Sequence, residues 1–265
     1  MLNFLKAQAY FIKKDTMFRG ISLLFFIASA VLAFWVGGKN NFEIINLAQP
    51  LILLTQLSLF LYFVIPTYVC FLATEGYEYG SIKLVLASGQ SRFAYITGKY
   101  ISALNFIFVW VIQFFGVYYV CYMSAALISG SVIGNGGLKT DAIQVIRVLG
   151  LNVLYLSAYA VLIIMVGIFI RRTASAVVAT FLVIFGDFLI TGYCREASSA
   201  LVRELSGYTL TTQIMKFSGV YVVNSERVIL SGTKSVVEVL VIPLVIIAIC
   251  MSITYFSFGR RDIHA

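Results

Sequence analysis

Charged side chains are scarce in this chain. Asp, Glu, Lys and Arg make up 11% of its 265 residues, where a soluble domain carries roughly 25%. A water-facing surface cannot be assembled from so few ions, so lipid must cover much of the protein. Histidine is scarcer still: His264 is the sole one, which excludes a His-based metal cluster and a nucleophile–His constellation. The four cysteines, Cys70, Cys121, Cys194 and Cys250, form no CxxC pair and read as small apolar side chains. A disulfide between Cys121 and Cys194 stays open, because the topology below puts both near one face. No metal and no resident cofactor are expected, and no internal repeat or low-complexity tract is present.

What the chain has in abundance is apolar sequence: 61% hydrophobic residues, including 22 Phe and 16 Tyr. A spanning helix needs about 20 predominantly apolar residues. Uncharged runs cover 20–38, 44–74, 100–138, 148–170 and 239–259, and a sixth, 173–194, is interrupted only by Asp187. Each fits one span. The runs 44–74 and 100–138 overshoot one span, so each should carry extra interfacial or loop residues, and Pro50 marks the start of the second helix. The stretch Gly134, Asn135, Gly136 and Gly137 reads as a loop. The first run is long enough to remain in the membrane rather than to be a cleaved leader.

The net charge of +8 does not indicate a nucleic-acid partner, because the basic residues are scattered between apolar runs. Lys6, Lys13, Lys14 and Arg19, then Lys83, Arg92 and Lys99, then Arg171 and Arg172, then Arg260 and Arg261 fall on one side of a six-span chain. The opposite short loops hold Lys39, Lys139 and Arg147. The positive-inside rule then places both termini in the cytoplasm. Trp35, Tyr118, Tyr119, Tyr122 and Tyr193 are expected at the outer interface, where amphipathic rings are favoured.

Residues 1–17 have an amphipathic pattern. Leu2, Leu5, Ala9 and Ile12 share a helical face, with Phe4 and Phe11 beside them, and Lys6, Lys13 and Lys14 lie on another. That suits a helix lying on the inner surface of the membrane. Residues 195–235 form the one sizeable polar insertion, read as an extracellular segment.

The most informative stretch is EGYEYGSIKLVLASGQSRFAYITGKY, residues 75–100. Ser81 is a candidate cap for a short helix. Ile82, Val85 and Leu86 give that helix an apolar face, and Gly89 ends it. Ser91 caps the following helix. A short apolar-faced helix protruding between two spans needs a surface to cover it, either a partner protein or the lipid headgroups.

This motif resembles that of bacterial ABC-type permeases of the type-2 class, particularly peptide and lantibiotic exporter permeases. Their pattern is an acidic pair, Gly-Thr-Ile-Lys, a short apolar helix, Gly-x-Ser-Arg, and Gly-Lys opening the next span. The matching residues are Glu75 and Glu78; Gly80, Ser81, Ile82 and Lys83; Gly89, Ser91 and Arg92; and Gly98 and Lys99. Ser81 replaces the usual Thr, and Glu75 sits one place further from the glycine than the pattern has it. A Lys14-Asp15 step before the first span and the ending Phe-Gly-Arg-Arg-Asp-Ile extend the likeness along the chain. The resemblance implies an all-α integral membrane protein, one permease domain over 1–265 with a coupling segment at 74–92. It implies docking of that segment, through Glu75, Glu78, Gly80, Ser81, Ile82, Lys83, Val85, Leu86, Gly89 and Arg92, on a separate ATP-binding subunit. ATP and Mg would belong to that partner, present in two copies, and a second permease, identical or related, would complete the assembly in the bacterial cell membrane. Export of amphipathic or antimicrobial peptides is the implied activity.

The chain itself carries no ATPase motif. GNGGLKT at 134–140 is superficially like a phosphate loop, but Leu138 separates Gly137 from Lys139. Asp187 is the one acidic residue inside a run, and such a group is costly in hydrocarbon and usually functional. It is a candidate for the substrate pathway, with Gln56 or Gln113 as polar neighbours, or a structural hydrogen-bonding group. An ion-coupled transporter or channel is a second reading, opposed by the lack of further charges in the spans. A membrane enzyme is opposed by the lack of clustered His, Asp and Glu. A peptide-sensing or immunity subunit that moves nothing stays open.

Overall fold

The computed structural model describes residues 2–131, 134, 138–195, 199–220, 222–223, 226–227 and 233–260. Asn135, Gly136 and Gly137, parts of the 195–235 insertion, and Arg261, Asp262 and Ile263 of the chain ending lie outside them. The described residues are almost wholly helical. The helices are α1 (Leu2–Lys14), α2 (Thr16–Lys39), α3 (Gln49–Thr55), α4 (Leu61–Glu78), α5 (Ser81–Ala87), α6 (Arg92–Ile128), α7 (Leu138–Ile170), α8 (Thr173–Arg195), α9 (Ala200–Ser206), α10 (Leu210–Phe217) and α11 (Thr233–Arg260). A two-residue antiparallel pairing, Val222–Val223 with Glu226–Arg227, is the sole strand pair among them.

Six of these helices are long and apolar enough to cross a membrane. The expected second run is not one continuous helix. Pro50 stands in the first turn of α3 as expected, but α3 stops at Thr55. A 3₁₀ turn over Ser58–Phe60 intervenes before α4 begins at Leu61. Hydroxyls satisfy part of the break: Thr55 donates to the Ile52 carbonyl and Ser58 to the Thr55 carbonyl. The excess length of the run is thus taken up by folding α3 back against α6 and α7.

The 37 residues of α6 and the 33 of α7 extend about 55 and 50 Å, well beyond the ~30 Å hydrocarbon core. Their ends project past the membrane beside α3. There Asn46 donates to Asp141 at 2.6 Å, and Phe42 packs on Tyr122. Tyr118 and Tyr122, expected at the lipid interface, are instead fully buried on the bundle side of α6. Trp35 and Tyr193 are exposed.

The core joins α2, α4 and α6 through rings. Trp110 is fully buried among Phe18, Phe25, Tyr68 and Phe106, and its indole N–H donates to the Ser22 hydroxyl at 2.8 Å. Asp15 caps α2 by accepting from the Met17 N–H and also accepts the Tyr68 phenol at 2.8 Å. Helix α1 packs on both α6 and α2. Phe4 is buried over Gly98, where a Cβ would strike its ring. Tyr10 and Phe11 stay exposed beside Lys6, Lys13 and Lys14.

Candidate functional site

The motif segment lies at one end of the bundle, where α4 ends and α6 begins. Gly80 takes a left-handed conformation (φ +65°) between α4 and α5, which glycine alone adopts at no steric cost. Helix α5 therefore starts at Ser81, and Ser81 makes no side-chain cap; the expected cap is replaced by this turn. Gly89 (φ +87°) closes α5, its N–H donating to the Leu86 carbonyl at 3.1 Å. Ser91 caps α6, accepting from the Ala94 N–H at 3.1 Å.

The apolar face of α5 is covered by the chain's own helices. Ile82 is 2% exposed, and Val85 and Leu86 are half-buried. Among the residues left outward at this end are Tyr79, Lys83 and Leu84, with Leu84 75% exposed. Leu84 and Tyr79 are not among the residues the motif singles out. A single apolar position on a seven-residue helix carries no signal of which way it faces.

Four charged residues of the motif, Lys99, Glu75, Glu78 and Arg92, bond to the chain's own helices. Lys99, 3% exposed, donates to Glu75 at 2.6 Å and to the Leu72 carbonyl at 2.8 Å. Glu78 accepts a hydrogen bond from the Thr173 hydroxyl, which is also 3.0 Å from that of Thr74. Arg92 donates from Nη1 to the Phe258 and Gly259 carbonyls, each at 3.0 Å. These are terminal carbonyls of α11, where a cation is favoured. The guanidinium of Arg171, in the turn between α7 and α8, lies over the Tyr77 ring. The helix ends that flank α5 are thus tied together: α4 to α6 through Glu75 and Lys99, α4 to α8 through Glu78, and α6 to α11 through Arg92, while α5 itself packs on α4.

Close packing sustains this arrangement. A Cβ at Gly76 would strike the Tyr95 hydroxyl. A Cβ at Gly167 would come within 2.9 Å of the Ala73 side chain, so α4 and α7 approach closely at this level.

Asp187, on α8, meets neither Gln56 nor Gln113. Gln113 donates to the Ser22 carbonyl of α2. The Asp187 carboxylate instead accepts three hydrogen bonds on Oδ2: from Tyr159 at 2.9 Å, from the Thr211 hydroxyl at 2.6 Å and from the Thr211 N–H at 2.9 Å. It therefore faces the bundle and sits at the N-terminus of α10, where a negative charge is favourable. Helix α10 is no plain surface loop. Thr212, Gln213, Ile214 and Phe217 are buried, Phe217 packs on Tyr155, and Ser218 reaches Ser58 of the broken second run at 3.3 Å. Burial pushes the Lys216 ammonium below its usual pKa, with Glu238 opposing the shift. All four cysteines are free thiols. No cluster of three or more metal-ligating side chains occurs among the described residues.

These features define a helical protein of the multi-pass membrane class. A family model described as a protein of unknown function, DUF2705, matches residues 5–264, and the chain belongs to that family. No curated protein matches the chain significantly.

Proposed function

We propose that the chain is the membrane-spanning subunit of an ATP-driven exporter, moving amphipathic peptides such as antimicrobial peptides out of the cell. The carrying observation is mechanical. Tyr79, before α5, and Lys83 and Leu84, on it, are exposed, while the flanking ends of α4 and α6 are bonded to each other, to α8 and to α11. A push on that small surface by an ATP-binding subunit moves four spans together. In this reading the motif end and both termini are in the cytoplasm of a bacterium, as the basic residues predict. Two permeases pair, each engaging one ATPase, and ATP and Mg stay on those partners. Tyr10 and Phe11, exposed among lysines on α1, then rest at the inner headgroups.

The test is copurification of an ABC ATP-binding subunit with this chain from its native membrane. Leu84→Asp combined with Tyr79→Ala alters exposed positions only, so insertion and thermal stability should persist. Copurification and peptide-stimulated ATP hydrolysis should fall at least tenfold. Unchanged association would reject α5 as the docking element.

A further inference from the structure

We infer that the groove between α6 and α7 is a binding site for one anionic phospholipid, with an acyl chain in the groove and the phosphate at Arg147. The groove has a volume of about 500 Å³ and a nearly all-carbon lining. Phe108, Ile112, Gly116 and Tyr119 form one stripe of α6, and Gly150 and Val153 face them from α7. Neither Gly116 nor Gly150 has an atom within 4 Å of where a Cβ would lie, so the missing side chains are what open the space.

Depth along the membrane identifies the occupant. From Phe108 to Tyr119 the groove rises about 16 Å, half of the ~30 Å hydrocarbon core. It is therefore as long as one leaflet. Two independent counts place its upper end. On α6, Lys99 is the last charged residue before the groove, and about 20 residues of hydrocarbon beyond it end at Tyr119. On α7, which runs the other way, about 20 residues counted back from Arg171 end near Gly150. Both put the mouth at headgroup level, in the leaflet opposite the motif end.

Charge then selects among lipids. Arg147 lies on the same face of α7 as Gly150, one turn beyond it, and is exposed. Among the described residues it forms no ion pair or hydrogen bond. Hydrocarbon surrounds the protein in any case, so the apolar groove alone discriminates little between lipids. A guanidinium at the mouth favours a phosphate whose headgroup adds no positive charge. The Tyr119 hydroxyl at the same level supplies a further donor.

The experiment titrates the purified full chain in micelles with phosphatidylglycerol and, separately, with phosphatidylcholine of the same acyl chains. Bound lipid is counted by native mass spectrometry. The native chain should retain one phosphatidylglycerol, bound about fivefold more tightly than phosphatidylcholine. Arg147→Gln should equalise the two lipids. Gly116→Leu with Gly150→Leu should abolish retention of both, with helical circular dichroism unchanged. If that filled variant does not fold, Arg147→Gln alone decides. A preference for phosphatidylglycerol that survives Arg147→Gln overturns the inference. So does lipid retained by a folded, filled variant, or a native dimer that holds no lipid and falls apart when the groove is filled.

Discussion

The Lys99 ammonium lies 2.6 Å from a Glu75 carboxylate oxygen, with the lysine side chain 4% exposed and the glutamate 32% exposed. Its second acceptor is the Leu72 carbonyl, one turn earlier on α4. The contact joins the end of α4 to the start of α6 directly beneath α5. It makes an internal strut of Glu75, which the motif resemblance places in the docking segment, and Lys99, which opens the next span.

The asymmetry of exposure sets the order of mutational costs. Glu75→Gln leaves a buried ammonium with neutral acceptors and no countercharge, and losing the charged partner of a buried pair costs about 3–5 kcal/mol. The partial exposure of Glu75 moves this toward the low end. Lys99→Met leaves a carboxylate that water reaches, for a loss of about 1–2 kcal/mol. Glu75→Leu with Lys99→Met should recover most of the stability. Equilibrium unfolding in mixed micelles checks the order, and equal losses from the two single variants would contradict it.

Gly76 and Tyr95 form a second contact under α5. Tyr95 is 3% exposed, and its hydroxyl has no hydrogen-bond partner among the described residues. Gly76→Ala should therefore destabilise by about 1–3 kcal/mol through overpacking. Tyr95→Phe alone should be neutral or slightly stabilising, since it removes a buried unpaired hydroxyl. Combined, the two should cost less than Gly76→Ala alone. A double-mutant cycle with no coupling would show that the collision is relieved elsewhere.

Much of this architecture is legible in the sequence because hydrocarbon imposes a simple rule. Runs of about 20 apolar residues become spans, and all six are helices here. The boundaries of α5 follow from Gly80 and Gly89 and the start of α6 from Ser91, because turns and caps are local chemistry. The direction of Ile82 is not legible: an apolar face states that something must cover it, not what. The break at Ser58 gives no signal because its hydrogen bonds use ordinary Ser and Thr. Tyr118 and Tyr122 follow an interface rule that reads depth along the chain and not which face of α6 a ring occupies, and both rings face the bundle. The partners of Asp187 come from Tyr159 and Thr211, 28 and 24 residues away in the chain, and tertiary packing alone brings them together. Lys99, by contrast, announces itself as a cation at the edge of an otherwise uncharged run.

Sidedness is tested by labelling. In a chain with its four cysteines replaced, single cysteines at Lys14, Lys83 and Arg172 should resist an impermeant thiol reagent added to intact cells. Cysteines at Lys39, Lys139 and Tyr193 should react within minutes. All six positions are exposed, so burial does not confound the readout. Labelling of Lys83 from outside would reverse the orientation and remove the coupling role of α5.

Asp187 decides whether α10 is held by a carboxylate or only rests beside one. All three donors converge on Oδ2, and two of them are hydroxyls that can turn, whereas the Thr211 N–H cannot. Asn in place of Asp keeps an acceptor oxygen for that N–H but loses the negative charge at the N-terminus of α10, worth about 0.3–1 kcal/mol. Asp187→Leu removes every acceptor and strands a backbone N–H and two hydroxyls, each unsatisfied group costing about 1–3 kcal/mol. The expected order is native, then Asn close behind, then Leu far below. The local readout is a cysteine at Gln213, which is 1% exposed. It should stay unreactive to a thiol reagent with Asn at 187 and become reactive with Leu, as α10 lifts from the bundle. Transport at matched membrane levels should follow the same order if the carboxylate acts by positioning α10. A loss of transport with Asn as severe as with Leu, while Gln213→Cys stays protected, would assign the charge to the substrate instead.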